Sequence, residues 1–127
     1  LGVCVGMQII FEKSEEGVNE GLGWIKGQVK KIDSQHNKIT IPHMGWNSIK
    51  TVKSQNNLCG NLDINEFYFL HSYHCVPDNK DLVVATTKYG SEICAVVQKN
   101  NISGCQFHPE KSHDSGLKIF SNFLETN

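Results

Sequence analysis

The chain has 127 residues, of which 39% are hydrophobic and 20% charged, and its formal net charge is -1. That length admits one ordinary domain, and the hydrophobic share is enough to bury a core, which excludes a disordered tail. The lysines are spread along the chain without a dense basic run, so no electrostatic footprint for nucleic acid or an anionic membrane surface is present.

The first residues, 1–4, read as the end of a buried strand. From 5 to 13, Met7, Ile10 and Phe11 fall at i, i+3 and i+4 and predict a helix with a polar end at Ser14-Glu15-Glu16-Gly17. Gly17, Gly21 and Gly23 mark a loop. Segments 26–32 and 38–41 read as two strands joined through Asp33-Ser34-Gln35-His36-Asn37, with Pro42 closing the second. Segment 43–52 is expected to be a structured loop. Segment 67–73 has the apolar character and length of a strand. Segments 82–87 and 93–98 are β-rich and separated by Tyr89-Gly90-Ser91, which predicts a hairpin; 102–107 is a further strand. Leu117, Ile119, Phe120, Phe123 and Leu124 give a helical stripe, with Ser112, Asp114 or Ser115 as its expected cap. One strand–turn–helix, several strands and a closing helix predict an α/β domain with an extra antiparallel layer.

Two motifs carry chemistry. Gly2-Val3-Cys4-Val5-Gly6 has the G-x-nucleophile-x-G form of a strand-to-helix elbow, whose glycines permit a sharp turn that lifts the nucleophile above the sheet edge. A helix N-terminus at Cys4 is expected to favour its thiolate, and the N–H of Val5 is a candidate oxyanion donor. The second motif is Gln106-Phe107-His108-Pro109-Glu110. An imidazole can take a thiol proton, and a carboxylate two residues on can orient it, so Cys4, His108 and Glu110 fill the three roles of a triad. In an extended segment His108 and Glu110 would share one face. The bland reading of each motif alone is a chance glycine pattern and two unrelated loop side chains; their occurrence together, each after a strand, favours catalysis. Gln8 lies one helical turn from Cys4 and could bind a substrate amide, or be an ordinary surface residue.

The five cysteines, Cys4, Cys59, Cys75, Cys94 and Cys105, are odd in number, widely spaced and free of any CxxC pair. A reduced, cytoplasmic compartment is expected, with no disulfide framework. No apolar run approaches the ~20 residues that span a bilayer. Leu1-Gly2-Val3 has neither a basic leader nor an initiator Met, and the chain is expected to begin within a longer polypeptide. His71, His74 and Cys75 are residue types that ligate metals, but on a strand His71 and His74 point to opposite faces, so no metal is expected.

Gly-Val-Cys-Val-Gly-Met-Gln (2–8), Ser-Glu-Glu-Gly (14–17), Pro-His-Met-Gly-Trp-Asn (42–47), Phe-Tyr-Phe-Leu-His-Ser-Tyr (67–73) and Gln-Phe-His-Pro-Glu-Lys-Ser (106–112) together resemble the class I glutamine amidotransferases. Within that family they are similar to the glutaminase subunits of imidazole glycerol phosphate synthase. The resemblance covers essentially the whole chain. It implies a flavodoxin-like α/β fold, here as a single truncated domain over 1–127, with the strands that precede the elbow, and the second oxyanion donor, outside these residues. It implies a catalytic triad of Cys4, His108 and Glu110, an oxyanion donor at Val5, and substrate contacts from Gln8 and from the backbone near Ser72 and Tyr73. It implies that Met44, Trp46, Asn47, Tyr68 and Lys111 form a face towards a (β/α)8 cyclase partner. Glutamine is the implied substrate, ammonia passes to the partner of a heterodimer in histidine biosynthesis, and no cofactor or metal is needed.

Three readings stay beside this one. A paralogous protein could feed ammonia to a synthase of amidino-sugars. The chain could be a non-catalytic module that kept the fold, and Met44 and Trp46 could be core residues of their loop.

Overall fold

The computed structural model describes every residue except Asn61, Asp63, Ile64 and Asn127. Among the described residues, ten strands run in chain order: β1 (Gly2–Val3), β2 (Lys13–Ser14), β3 (Gly27–Lys31), β4 (His43–Ser48), β5 (Lys50–Thr51), β6 (Glu66–His71), β7 (Tyr73–Pro77), β8 (Val83–Tyr89), β9 (Ser91–Lys99) and β10 (Ile102–Cys105). The helices are α1 (Val5–Gln8), α2 (Ser34–Asn37) and α3 (His113–Thr126), with single 3-10 turns at Lys80–Leu82 and Pro109–Lys111.

A five-stranded sheet in the order β1-β10-β9-β8-β5 forms the middle of the molecule. In β9, Ile93 to Val97 are buried without a break, as expected of a strand covered on both faces. The two covers are distinct clusters. On one side Phe67, Phe69, Val84, Ala95, Phe107 and Ile119 bring β6 and α3 against the sheet. On the other, Met7, Ile10, Phe11, Val29, Cys75 and Val97 bring α1 and the three-stranded sheet β2-β3-β7 against it. Together β4 and β6 form a separate two-stranded antiparallel ribbon, with Trp46 opposite Tyr68 and Met44 opposite Leu70. This is a mixed α/β arrangement.

The β8–β9 hairpin, β3, β6 and β10 fall where the sequence places them. Other elements differ for identifiable reasons. The opening helix stops at Gln8, although Met7, Ile10 and Phe11 are all buried. Beyond Gln8 the carbonyls of Ile9, Ile10 and Phe11 accept the N–H groups of Leu22, Trp24 and Gly23, at 2.8, 3.0 and 3.2 Å, so the helical ladder cannot continue. Segment 38–41 is not a strand: Asp33 caps α2 by accepting His36 N at 2.9 Å, and Lys38 leaves that turn in the left-handed conformation.

The expected loop at 43–52 is strands β4 and β5. Its inward side chains, His43 and Asn47, are polar and hydrogen-bonded to each other at 3.2 Å, so the hydrophobic alternation that announces a strand is missing. The stripe of α3 also differs from expectation. Ile119 is buried and Phe123 packs on the core, whereas Leu117 and Leu124 face outward. Ser112 precedes α3, but its hydroxyl does not cap it: Oγ accepts Tyr68 N at 3.0 Å and donates to His108 O at 2.6 Å.

Candidate active site

Parallel pairing brings the two motifs together. Strand β1 runs beside β10 with Gly2 opposite Gly104 and Val3 opposite Cys105, so Cys4 and the residues after Cys105 leave the sheet at the same edge. The Cys4 N–H donates to Cys105 O at 2.8 Å, and there the chain turns into α1. Cys4 carries φ 51° and ψ -109°, a left-handed conformation rare for a residue with a Cβ. The elbow is closed tightly enough that a Cβ on Gly2 would lie 2.4 Å from Gly6 O. This tight, strained turn is what the Gly2 position and the strand-to-helix change require.

The base side is built by the 3-10 turn. His108 and Glu110 are not on an extended segment as their alternation predicted; Pro109–Lys111 makes a single turn that folds the carboxylate back, and His108 Nδ1 meets Glu110 Oε1 at 2.6 Å. His108 is partly buried while Glu110 is about half exposed. Since Nδ1 faces the carboxylate, Nε2 is the nitrogen left for proton transfer.

Strand β6 holds both sides of the arrangement. The His108 N–H donates to Tyr68 O at 2.8 Å, and the Cys4 thiol donates to Leu70 O at 3.6 Å. A buried amide completes the surroundings of the sulfur: Gln106 Nε2 donates to Cys4 Sγ at 3.7 Å, and Gln8 Nε2 donates to Gln106 Oε1 at 3.3 Å. Burial pushes the Cys4 thiol up; the Val5 N–H and the Gln106 amide pull it down, and the Glu110 and Glu16 carboxylates raise it again. The expectation of a resting thiolate is therefore corrected. A helix of four residues has little dipole to offer, and burial outweighs it.

Val5 presents its N–H to the sulfur from the first position of α1, with its side chain exposed. Gln8 is buried, and its amide N–H groups are engaged by Tyr73 O at 3.1 Å and by Gln106. Ser72 sits between β6 and β7 and accepts Ile32 N at 2.9 Å through its carbonyl. A cavity of about 250 Å³ opens beside the elbow, lined among others by Val5, Gln8, Phe11, Ser14 and Glu16. Sequence reasoning missed Gln106 and Glu16 as site residues. Gln106 stands within the Gln-Phe-His-Pro-Glu motif, and its complete burial is the property that marks it; Glu16, just after β2, becomes visible only in the fold, where it lines the cavity with Val5 and Gln8.

Four of the five residues expected at a partner face share one exposed surface. Met44 and Trp46 project from β4 and are 65% and 46% exposed. Trp46 meets the Tyr68 ring edge-on at 5.9 Å and stacks on His113 at 5.2 Å, and Lys111 Nζ lies 5.7 Å from the Tyr68 ring. Asn47 points to the opposite side of β4, where it holds His43 and Lys88 O. The core-residue reading of Met44 and Trp46 does not fit these exposures.

Cys4, Cys75, Cys94 and Cys105 are free thiols. Among the described residues, no group of three or more His, Cys, Asp or Glu is placed to hold a metal ion, and no helix is long and apolar enough to cross a membrane. His71 spends both ring nitrogens within the protein, on His43 and Tyr73 O, and has none left for a metal.

An elbow cysteine on one strand of a sheet and a His–Glu pair after its parallel neighbour are the marks of one class of protein. The chain belongs to the class-I glutamine amidotransferase family, whose profile matches residues 1–126. Its relatives include proteins named imidazole glycerol phosphate synthase subunit HisH. It is 50% identical over 125 residues to that of Pelagibacter ubique, covering 98% of this chain and 60% of the relative. It is 50% identical over 127 residues to that of Methanocaldococcus jannaschii, covering 98% and 62%. With that of Leptospira borgpetersenii it shares 49% identity over 126 residues, covering 97% and 61%. The chain thus spans about three-fifths of the length of these relatives. A solved structure described as a putative GMP synthase component from Thermoplasma acidophilum superposes with a TM-score of 0.70 at 22% identity, over 98% of this chain and 54% of that one, and shares the fold.

Proposed function

We propose that this chain carries the catalytic residues of a glutaminase that releases ammonia for a synthase partner. The observation that carries the proposal is the pairing of β1 with β10, which sets a strained, partly buried cysteine and a His–Glu pair at one sheet edge; a cavity of about 250 Å³ lined by Val5 and Gln8 opens next to the elbow.

In this mechanism the Cys4 thiol passes its proton to His108 Nε2 as Sγ attacks the side-chain amide carbon of glutamine. The resting thiol is consistent with transfer in step with attack. The Val5 N–H supports the developing oxyanion. The imidazolium, held by Glu110, protonates the departing amine and ammonia leaves, with the acyl group on sulfur as a thioester. His108 then takes a proton from water, hydroxide adds to the thioester, and glutamate departs as the thiol is restored. Gln8 fixes the wall of the pocket through Tyr73 O, the backbone of Ser72 and Tyr73 holds the amino-acid end of the substrate, and the Glu16 carboxylate suits its ammonium group.

The named relatives support a HisH-type role: ammonia passed to a (β/α)8 cyclase in a heterodimer, for imidazole glycerol phosphate and histidine biosynthesis. The exposed surface of Met44, Trp46, Tyr68 and Lys111, an aromatic pair with a cation beside it, has the chemistry of an interface centre. Asn47 would act there only through β4. A cytoplasmic location accords with free cysteines. The test is Glu110→Gln, assayed for glutamine hydrolysis with the partner present. Loss of the orienting carboxylate is expected to lower kcat by up to ~10⁴, less if the thiol's own nucleophilicity compensates. Wild-type turnover in Glu110→Gln would remove the carboxylate from the mechanism.

A further inference from the structure

Behind the nucleophile, polar side chains continue where apolar packing would be expected. His43 and His71 face each other across the β4–β6 ribbon and are buried, at 3% and 6% exposure. Their nitrogens are 3.0 Å apart, Nδ1 of His43 to Nε2 of His71. Phe69 and Tyr89 stack on the His43 ring, at 4.7 and 4.0 Å between centroids, so that ring has one plane available to it.

The partners at the two ends decide where the protons sit. Tyr73 O can only accept, so His71 Nδ1, at 2.7 Å from it, is the donor. In a neutral ring His71 Nε2 is then the acceptor, and His43 Nδ1 must donate to it. That leaves His43 Nε2 as an acceptor for Asn47 Nδ2 at 3.2 Å. The orientation of the Asn47 amide is fixed independently, because Nδ2 also donates to Lys88 O at 2.9 Å while Oδ1 accepts Ser48 N at 2.9 Å. Both ends require the same order, and no link in the series sets two donors or two acceptors against each other.

The carbonyl at which this series ends also accepts Gln8 Nε2, whose second hydrogen goes to Gln106 Oε1, which in turn aims Gln106 Nε2 at Cys4 Sγ. We propose that His43 and His71 are positioning residues for the nucleophile: a neutral pair, both in the Nδ1–H tautomer, that fixes the Tyr73 carbonyl and through Gln8 and Gln106 holds an amide donor on the Cys4 sulfur. The proposal deepens the glutaminase reading and rests on it for its effect on turnover. The hydrogen-bond order itself does not depend on that reading. The pair also explains why side chains so polar lie on the inner face of β4: the two imidazoles and Asn47 satisfy one another and need no water.

The experiment combines a spectrum of the wild-type protein with two variants at one position. ¹⁵N-imidazole NMR near neutral pH is expected to show Nδ1–H tautomers at both His43 and His71; an Nε2–H tautomer at either one overturns the proposal. His71→Phe keeps a ring but loses both nitrogens, whereas His71→Asn keeps a donor at the position of Nδ1. In folded protein His71→Phe is expected to lower kcat/KM for glutamine by roughly 10–100-fold, as displaced reacting groups do, and to change the rate of Cys4 alkylation by iodoacetamide several-fold. His71→Asn is expected to recover most of both. Wild-type values in folded His71→Phe, or no recovery in His71→Asn, overturn the assignment; if His71→Phe does not fold, the tautomers decide it. Iodoacetamide needs no glutamine site. Two Nδ1–H tautomers in the wild type and the expected alkylation changes in the variants, with no glutamine hydrolysis by the wild type, would therefore count against the glutaminase reading and in favour of the pair.

Discussion

Lowering the pH from 7 to 5 is expected to destabilise this protein through the buried imidazoles. Burial lowers His43 from 6.5 to about 4. His71 is lowered from 6.5 to about 4, mainly by burial and further by the nearby His43, His74 and His108, against a raising effect of the Tyr73 carbonyl. The groups packed on the pair are Phe69, Tyr89, Asn47 and Tyr73 O, none of which supplies a negative charge to hold a proton. Because the folded values lie below the unfolded one, the unfolded chain binds protons first. Stability is complete above pH 6.5 and is lost as the pH falls from there towards 4. Each tenfold change in proton affinity is worth ~1.4 kcal/mol, so each histidine costs about 2 kcal/mol between pH 7 and pH 5, and the pair about 4 kcal/mol. That is a large part of the 5–15 kcal/mol typical of a domain. His74, lowered by burial and Lys30, acts in the same direction. Urea unfolding at pH 7, 6 and 5 measures the loss, and NMR titration assigns it. Unfolding free energies that agree within ~0.5 kcal/mol across that range, or imidazoles of His43 and His71 that titrate near 6.5 in the folded protein, would refute the reasoning.

Replacing Cys4 by Gly is expected to abolish glutamine hydrolysis yet raise stability by about 1 kcal/mol, since a left-handed residue with a Cβ carries of order 1–3 kcal/mol of strain and some is offset by lost packing; a destabilised Cys4→Gly in urea unfolding would deny the strain. Gly116→Ala places a Cβ 1.8 Å from Pro109 O and so must displace the turn that carries Glu110. It is expected to cost roughly 1–3 kcal/mol and to slow turnover, and unchanged melting and kcat would show that the turn has room. Trp46→Ala and Lys111→Ala are expected to weaken assembly with the partner at least several-fold while Cys4 labelling by a glutamine analogue persists. Unaltered binding by titration calorimetry would move the interface elsewhere.

The catalytic motifs were legible because their signals are local: an elbow needs Gly2 beside Cys4, and a base and its orienter stand two residues apart as His108 and Glu110. What the sequence could not show is contact across the fold. Strand β4 was hidden because its inner positions are His43 and Asn47, which find their partners across the fold, in His71 and Lys88 O, instead of presenting an apolar stripe. The helix after Cys4 was overread because the residues that end it, 21–25, compete for its carbonyls from outside the local pattern. Gln106 reads as one more polar residue until β10 carries it under Cys4. The resting thiol of Cys4 likewise follows from burial, which no motif encodes.

The account depends most on Cys4 being the nucleophile that meets glutamine. The direct measurement is mass spectrometry after brief exposure of the protein, with its partner present, to an alkylating analogue of glutamine. Modification confined to Cys4, protected by glutamine and slowed in His108→Ala, is the predicted result. Cys59, Cys75, Cys94 and Cys105 are all buried, so equal labelling of the five cysteines in folded protein, or labelling of Cys4 indifferent to both glutamine and His108, would contradict it.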